Sequence, residues 1–382
     1  MQDTITTDNN DYTYTDDSNS TEYENVDTLY TGDTDVSESE VSDSVFDNST
    51  ESNNYYESNS YDNVISVEND FGGDLQSAIS AANEGDVVKL DSKTYYTSGI
   101  TIDKNIVLEG QEGSVIDGGG TYDTILKLNS GADGATIRKI EITNGNNGIY
   151  GYGASNLTID NVNVNNIGVN QPMRDGQNNT GISLGQASGS KITNSTVENI
   201  GRKAVTIGDT DGATISGLTI KDVNLAAQHS QAHDAAGIKL YNTNGINVRG
   251  NYLSDINAIS IWNDSANGTA IEGNVVKNVG EDFIAPGFNS YVEIFGIYNE
   301  KSPNSTVNNN EVTAKDGFLG FKSTEYSTES MSLGSNNFSS SEIGTTDYWV
   351  NESVEKLIAS TPDPNAAGFG LLAGDYYAQA VI

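Results

Sequence analysis

The chain has 382 residues, no cysteine, and 54 acidic against 18 basic side chains, for a formal net charge of -36. A field of that sign opposes nucleic acid and anionic lipid surfaces as partners, and the lack of cysteine excludes disulfides and thiolate metal sites. No apolar run approaches the roughly 18 residues of a membrane span.

From Met1 to residue 63 the sequence is Asp, Glu, Ser, Thr, Asn and Tyr with few aliphatics, and Lys89 is the first basic residue. Such a stretch buries too little apolar surface to offset its ordering entropy, so residues 1–63 are expected to be an acidic disordered segment. The residues after Met1 lack the basic and apolar regions of a signal peptide, which leaves export to a route without one. Order is expected from Val64. Between Asp74 and Asn83, Leu75, Ala78, Ile79 and Ala82 recur at helical spacing, which predicts a short amphipathic helix plugging the open end of a solenoid. Glu84-Gly85-Asp86 ends it, and Val87 to Leu90 reads as a strand.

A series of similar units follows. Ala135-Thr-Ile-Arg-Lys-Ile-Glu-Ile142 leads to Gly148-Ile-Tyr-Gly151, and Asn156 to Val164 leads to Gly181-Ile-Ser-Leu-Gly-Gln186. Ser190 to Val197 leads to Ala204-Val-Thr-Ile-Gly-Asp209, and Ala213 to Ile220 leads to Gly237-Ile-Lys-Leu-Tyr-Asn242. Gly245 to Leu253 leads to Ala258-Ile-Ser-Ile-Trp-Asn263, and the series runs on to Gly296-Ile-Tyr-Asn299 and Leu319-Gly-Phe-Lys-Ser323. Short β-branched runs between Asn, Gly and Asp turns, repeating about every 20–25 residues, are the pattern of stacked parallel β-coils. Two positions after the last inward apolar residue stand Gln186, Asp209, Asn242, Asn263, Asn299 and Ser323, which predicts a ladder of side-chain amides running from coil to coil. On these units the chain resembles the pectate-lyase-like right-handed β-helix superfamily over residues 64–330. The expected fold is all-β, a single-stranded right-handed parallel β-helix with a short N-terminal capping helix. Residues 331–382 drop the repeat. They are expected to cap it, with a short helix over Glu352–Ala359, and to end in a possible secretion signal.

Insertions fall at one phase of alternate coils: 168–180, 224–236 and 280–294. Loops at one phase of a solenoid build a wall on one side. This wall carries Arg174, Asp175, His229, His233, Asp234, Glu281, Asp282 and Tyr291. Strand alternation, with Ile238, Leu240, Ile259, Ile261 and Ile297 inward, turns Lys239, Tyr241, Ser260, Trp262 and Tyr298 outward. Tyr241, Trp262 and Tyr298 are then expected as a stripe on successive coils, with Gly185 and Gly208 keeping the same column flat. The same aromatics also fit plain packing under the insertions.

The resemblance implies lyase or C5-epimerase chemistry on a uronic-acid polysaccharide, which requires a cation on the carboxylate, a base for the C5 proton and an acid for the leaving oxygen. Arg174, Arg202 and Lys203 can neutralise, His233, Lys239 or His229 can act as base, and Tyr241 as acid. Trp262, Tyr298, Asp234, Asp175 and Asp282 are the candidate substrate contacts. The Asp-Pro-His-Glu motif of alginate epimerases and the Arg-x-Pro-x-x-Arg motif of pectate lyases are both absent. Two alternatives stand beside this reading. One is a glycoside hydrolase of the same fold, with two acids from Asp175, Asp234, Glu281 and Asp282 at about 5.5 or 6.5–9.5 Å and no cation between them. The other is a non-catalytic surface or adhesin protein that binds glycan or calcium, although the Gly-Gly-x-Gly-x-Asp repeats of calcium-binding rolls are missing. The expected protein is extracellular or at the cell surface, monomeric, with polysaccharide as partner, no nucleic acid, no membrane span, and calcium as the one possible cofactor.

Overall fold

The computed structural model describes residues 63–121, 123–169, 179–224, 234–280, 294–315, 318–324, 327 and 330–340. Its strands are short because each holds one or two inward aliphatics between turns. β-branched residues are stiff in the extended conformation, and every few positions an Asn, Asp or Gly takes a left-handed φ and turns the chain. Asn194 (φ 49°), Asp209 (φ 47°) and Gly250 (φ 61°) are such corners. The strands stack into three parallel sheets, with eleven, ten and nine members among the described residues. The first runs from Val64–Ser66 to Ser332–Leu333, the second from Thr94–Tyr96 to Asn337–Ser340, and the third from Ile100–Ile102 to Leu319–Ser323. Pairing is parallel and in register, for example Ile159 with Ile192 and Ile192 with Ile215. The expected parallel β-helix is therefore present. Its strands continue beyond the expected end at residue 330, to Ser340.

Coil lengths alternate. Asn244 bonds Asp211 across 33 residues, and Asn267 reaches Asn244 across 23. The longer coils are those with an insertion. Inside the tube, Leu108, Ile137, Ile159, Ile192, Ile215 and Val248 form one continuous fully buried column. The N-terminal end is closed by two helices rather than the expected one. The first, α1 (Val67–Phe71), is capped by Ser66 and buries Val67. The second, α2 (Leu75–Ala81), buries Leu75, Ala78 and Ile79, and its cap Asp74 accepts from the Ser77 N–H at 3.0 Å.

Three expectations about register are corrected. The amide ladder is two columns. Asn242 Nδ2 donates to Asp209 at 2.6 Å on the exposed corner, whereas Asn263 and Asn299 are fully buried and joined at 2.6 Å inside the tube. Asn263 pairs with Leu240, so at that coil the last inward residue is an amide, and counting from the last aliphatic slips by two. The same slip moves the aromatic stripe: Lys239, Trp262 and Tyr298 share a column, and Tyr241 lies in the next one, opposite Asp264. Finally, Ile259 packs outside the tube with Trp262, Phe295 and Tyr298, and Ser260 is buried. Strict alternation fails there because Ala204 and Val205, side by side in sequence, both bury in the core. At that bend a Cβ on Gly237 would come within 2.6 Å of the Ser260 carbonyl oxygen, and one on Gly296 within 2.3 Å of the Gly320 oxygen.

Candidate cation-lined site on the third sheet

The outer face of the third sheet collects positive charge on two neighbouring strands. Lys203 opens Lys203–Gly208, Arg202 precedes it, and Lys239 lies in Ala236–Tyr241, next in the sheet. All three reach one carboxylate. Asp234 accepts from Arg202 at 2.9 Å, Lys203 at 2.8 Å and Lys239 at 2.6 Å. Lys239 also stands 3.4 Å from Asp264 on the following coil. Three cations thus meet two carboxylates, a local positive excess on a chain that is acidic as a whole.

The three cationic side chains are buried, while Asp234 keeps 28% of its side chain exposed. Burial alone would raise the Asp234 carboxyl, but Lys203 and Lys239 beside it hold it well below the usual carboxylate range. Burial pushes the Lys203 ammonium below its ordinary value, and Asp234 restores only part of the loss. Arg202 is lowered by burial as well and stays charged, as guanidinium does in proteins. Among the described residues the Arg202 Nε has no hydrogen-bond partner, so the guanidinium retains a donor beyond Asp234.

Lys239 lies 3.6 Å from the centroid of the Trp262 ring and 5.8 Å from that of Tyr241. Trp262 donates Nε1–H to Glu300 at 3.1 Å and stacks on Tyr298 with centroids 6.3 Å apart. Phe295 packs edge-on to Tyr298, and Lys322 lies over both rings. Trp262 and Tyr298 keep only 8% and 6% of their surface exposed. The expected open stacking floor at these two residues is therefore corrected: with Ala236, Ile259 and Phe295 they form a small apolar cluster outside the tube. Tyr241, at 50%, is exposed.

Of the residues singled out in the sequence, Lys239, Arg202 and Asp234 come together, with Tyr241 and Trp262 beside them and Tyr298 one coil further. Asp234 takes a different part from the one expected, because three cations occupy it. His229, His233, Arg174, Asp175, Glu281, Asp282 and Tyr291 lie outside the described residues. Sequence reasoning passed over Asp264 and Glu300, whose outward parity is legible but whose place beside Lys239 and Trp262 depends on register. Among the described residues no group of three acidic or imidazole side chains is placed to hold a metal ion, and no helix is long and apolar enough to cross a membrane.

A family profile described as the right handed beta helix region matches residues 94–343. No curated protein matches the sequence. Similar solved structures include an alginate lyase from Paenibacillus sp. str. FPU-7, at 17% identity over 72% of this chain and 99% of that one, TM-score 0.37. The catalytic domain of a GH87 alpha-1,3-glucanase in complex with nigerose aligns at 14% identity over 69% of this chain, TM-score 0.46, and this chain spans 56% of its length. A pectate lyase aligns at 14% identity over 72% of this chain and 80% of that one, TM-score 0.44.

Proposed function

The chain belongs to the right-handed β-helix family, and on that premise we propose that the cation cluster at Asp234 is the reactive centre of an enzyme acting on a uronic-acid polysaccharide. One observation carries the reading: Arg202, Lys203 and Lys239 are brought to one point of an otherwise acidic molecule. Removing the C5 proton of a uronate builds negative charge on its carboxylate, and fixed cations in a partly water-excluded site stabilise that charge far better than water does. Arg202 and Lys203 take the carboxylate. Lys239 takes the C5 proton, and the exposed Tyr241 hydroxyl gives a proton to the O4 leaving group. The C4–O4 bond breaks as the C4–C5 double bond forms. If Tyr241 instead returns a proton to C5 from the opposite face, the outcome is epimerisation.

The hydrolase reading loses Asp234 as its general acid. A carboxyl held below the usual range is ionised at any working pH and has no proton to give. Polymers of this kind are met outside the cell, and the reading assigns the protein there.

The test is incubation with alginate, pectate and glycosaminoglycans, with and without calcium, following the absorbance of the unsaturated uronate and the proton NMR spectrum. The Lys239→Ala variant is expected to lower the rate by about 100-fold or more, the range of one general base, with its fold unchanged by circular dichroism. No absorbance and no NMR change with any polymer removes both lyase and epimerase; binding without turnover would leave the adhesin.

A further inference from the structure

The outer face of the third sheet changes character along the helix axis. From Ala236–Tyr241 onward it is mostly covered, whereas on the two preceding coils Ser183, Gly185, Thr206 and Gly208 are half-exposed. In-register pairing puts Tyr152, Gly185, Gly208 and Tyr241 in one column, and Tyr150, Ser183, Thr206 and Lys239 in the neighbouring one. Two glycines are thus bracketed by two exposed tyrosines, Tyr152 at 48% and Tyr241 at 50%. Three coil steps separate the tyrosines, roughly 14 Å at the inter-strand spacing of parallel sheets.

The two glycines differ in what holds them. A Cβ on Gly185 would come within 2.9 Å of Tyr152 Cδ2 and 3.2 Å of Cε2. The Tyr152 ring therefore lies along the floor instead of standing off it. At Gly208, among the described residues, a Cβ would meet only the Tyr241 carbonyl oxygen, at an ordinary 3.9 Å. Gly208 is not among the residues with positive φ, so neither backbone conformation nor packing demands a glycine there. What a side chain would do is fill the trough. The floor carries no charge, and the nearby cations, Lys203 and Lys239, turn to Asp234 at the start of the strands. Asp209, on the rim, is held by Asn242 and would repel an anionic ligand lying in the trough.

We propose that the trough between Tyr152 and Tyr241 is a subsite for uncharged sugar rings of an extended chain, stacked by their C–H faces on Tyr152 and Tyr241. A flat, uncharged floor with aromatic rings at both ends matches a neutral pyranose, which has an apolar face and hydroxyl edges, and among the described residues the floor itself offers no partner to a carboxylate. The glycan recognised by this protein accordingly carries neutral sugars beside its acidic unit. The inference rests on reading this face as glycan-binding and is independent of the reaction assigned to Lys239.

The experiment is calorimetric titration of the full chain with cellotetraose and mannotetraose as neutral probes and tetragalacturonate as the acidic one, on wild type, Gly208→Leu and Tyr152→Ala. At least one neutral tetrasaccharide is expected to bind saturably. Gly208→Leu is expected to weaken that binding about tenfold or more while leaving the melting temperature unchanged, and Tyr152→Ala to weaken it similarly through lost stacking. Saturable binding of no neutral tetrasaccharide, or binding that Gly208→Leu does not touch, overturns the subsite. Neutral binding that persists when no uronate polymer is turned over overturns only the reaction.

Discussion

At Asp234 one carboxylate is shared by three cations, and the energetics of each depend on the others. Lys203 is the most informative of them, because burial pushes its ammonium below the ordinary lysine value. The folded state then binds fewer protons than the unfolded state between that lowered value and the unfolded value of about 10.4. Stability contributed through this group therefore rises with pH across that window, and the cost of burying the charge is felt in full below it. Asp234 acts oppositely. Its folded carboxyl is depressed, so its contribution is complete above the unfolded value of about 3.9 and fades only as pH falls toward the folded one. Replacing Lys203 by Met keeps the stem and removes the titration. In urea unfolding at a series of pH values, wild type is expected to gain on Lys203→Met as pH rises from that lowered value to about 10. A difference that stays flat with pH would mean that Lys203 is not desolvated. The choice of Lys239, Arg202 and Asp234 was legible in the sequence, since outward parity marks the lysine and the insertion phase marks the aspartate. Their convergence was not, because it needs the 31- and 32-residue returns that bring Asp234 to Arg202 and Lys203 of the preceding coil.

The repeating element explains both what was legible and what slipped. Alternation of aliphatic and polar residues fixes which way a side chain faces, but a slip of two leaves every facing unchanged, so the sequence held Lys239, Trp262 and Tyr298 outward without placing them in one column. The strongest register marker was present and unread: Gly250-Asn251, Gly273-Asn274, Asn309-Asn310 and Ser335-Asn336 each precede an inward strand. In the structure Asn251, Asn274, Asn310 and Asn336 form a buried ladder, each Nδ2 donating at 2.9 Å to the Oδ1 of the next. Asn274 also accepts from the Asn251 backbone N–H and donates to the Val248 carbonyl, both at 3.0 Å. Its removal strands a buried donor and a buried acceptor of the main chain, at about 1–3 kcal/mol each. Asn274→Ala is expected to destabilise the helix by roughly 3 kcal/mol in denaturant unfolding. The exposed Asn267→Ala, in the corner ladder, is expected to change stability by less than about 0.5 kcal/mol. Equal losses at the two positions would deny the buried ladder its structural part.

Over the whole molecule the sites must work against the net charge of -36. Two ranges compete. The cluster of Arg202, Lys203 and Lys239 attracts an anionic sugar only at contact, since Asp234 and Asp264 cancel most of its charge at a distance. The acidic remainder of the chain repels a polyanion from farther away, and that repulsion decays over a Debye length of about 30 Å at 0.01 M salt and about 8 Å at 0.15 M. Salt therefore removes the long-range barrier sooner than it weakens the partly buried contact. The association rate of an oligogalacturonate is expected to increase as sodium chloride is raised from about 0.01 to about 0.15 M, whereas that of a neutral tetrasaccharide in the Tyr152–Tyr241 trough is expected to stay constant. Stopped-flow tryptophan fluorescence, with Trp262 against Lys239 as the reporter and the other tryptophan removed by Trp349→Phe, measures both. An oligogalacturonate rate that falls with salt, the ordinary behaviour of a cationic site steering an anion, would show that the local cluster dominates the field and that the acidic surface has no part in selecting the ligand.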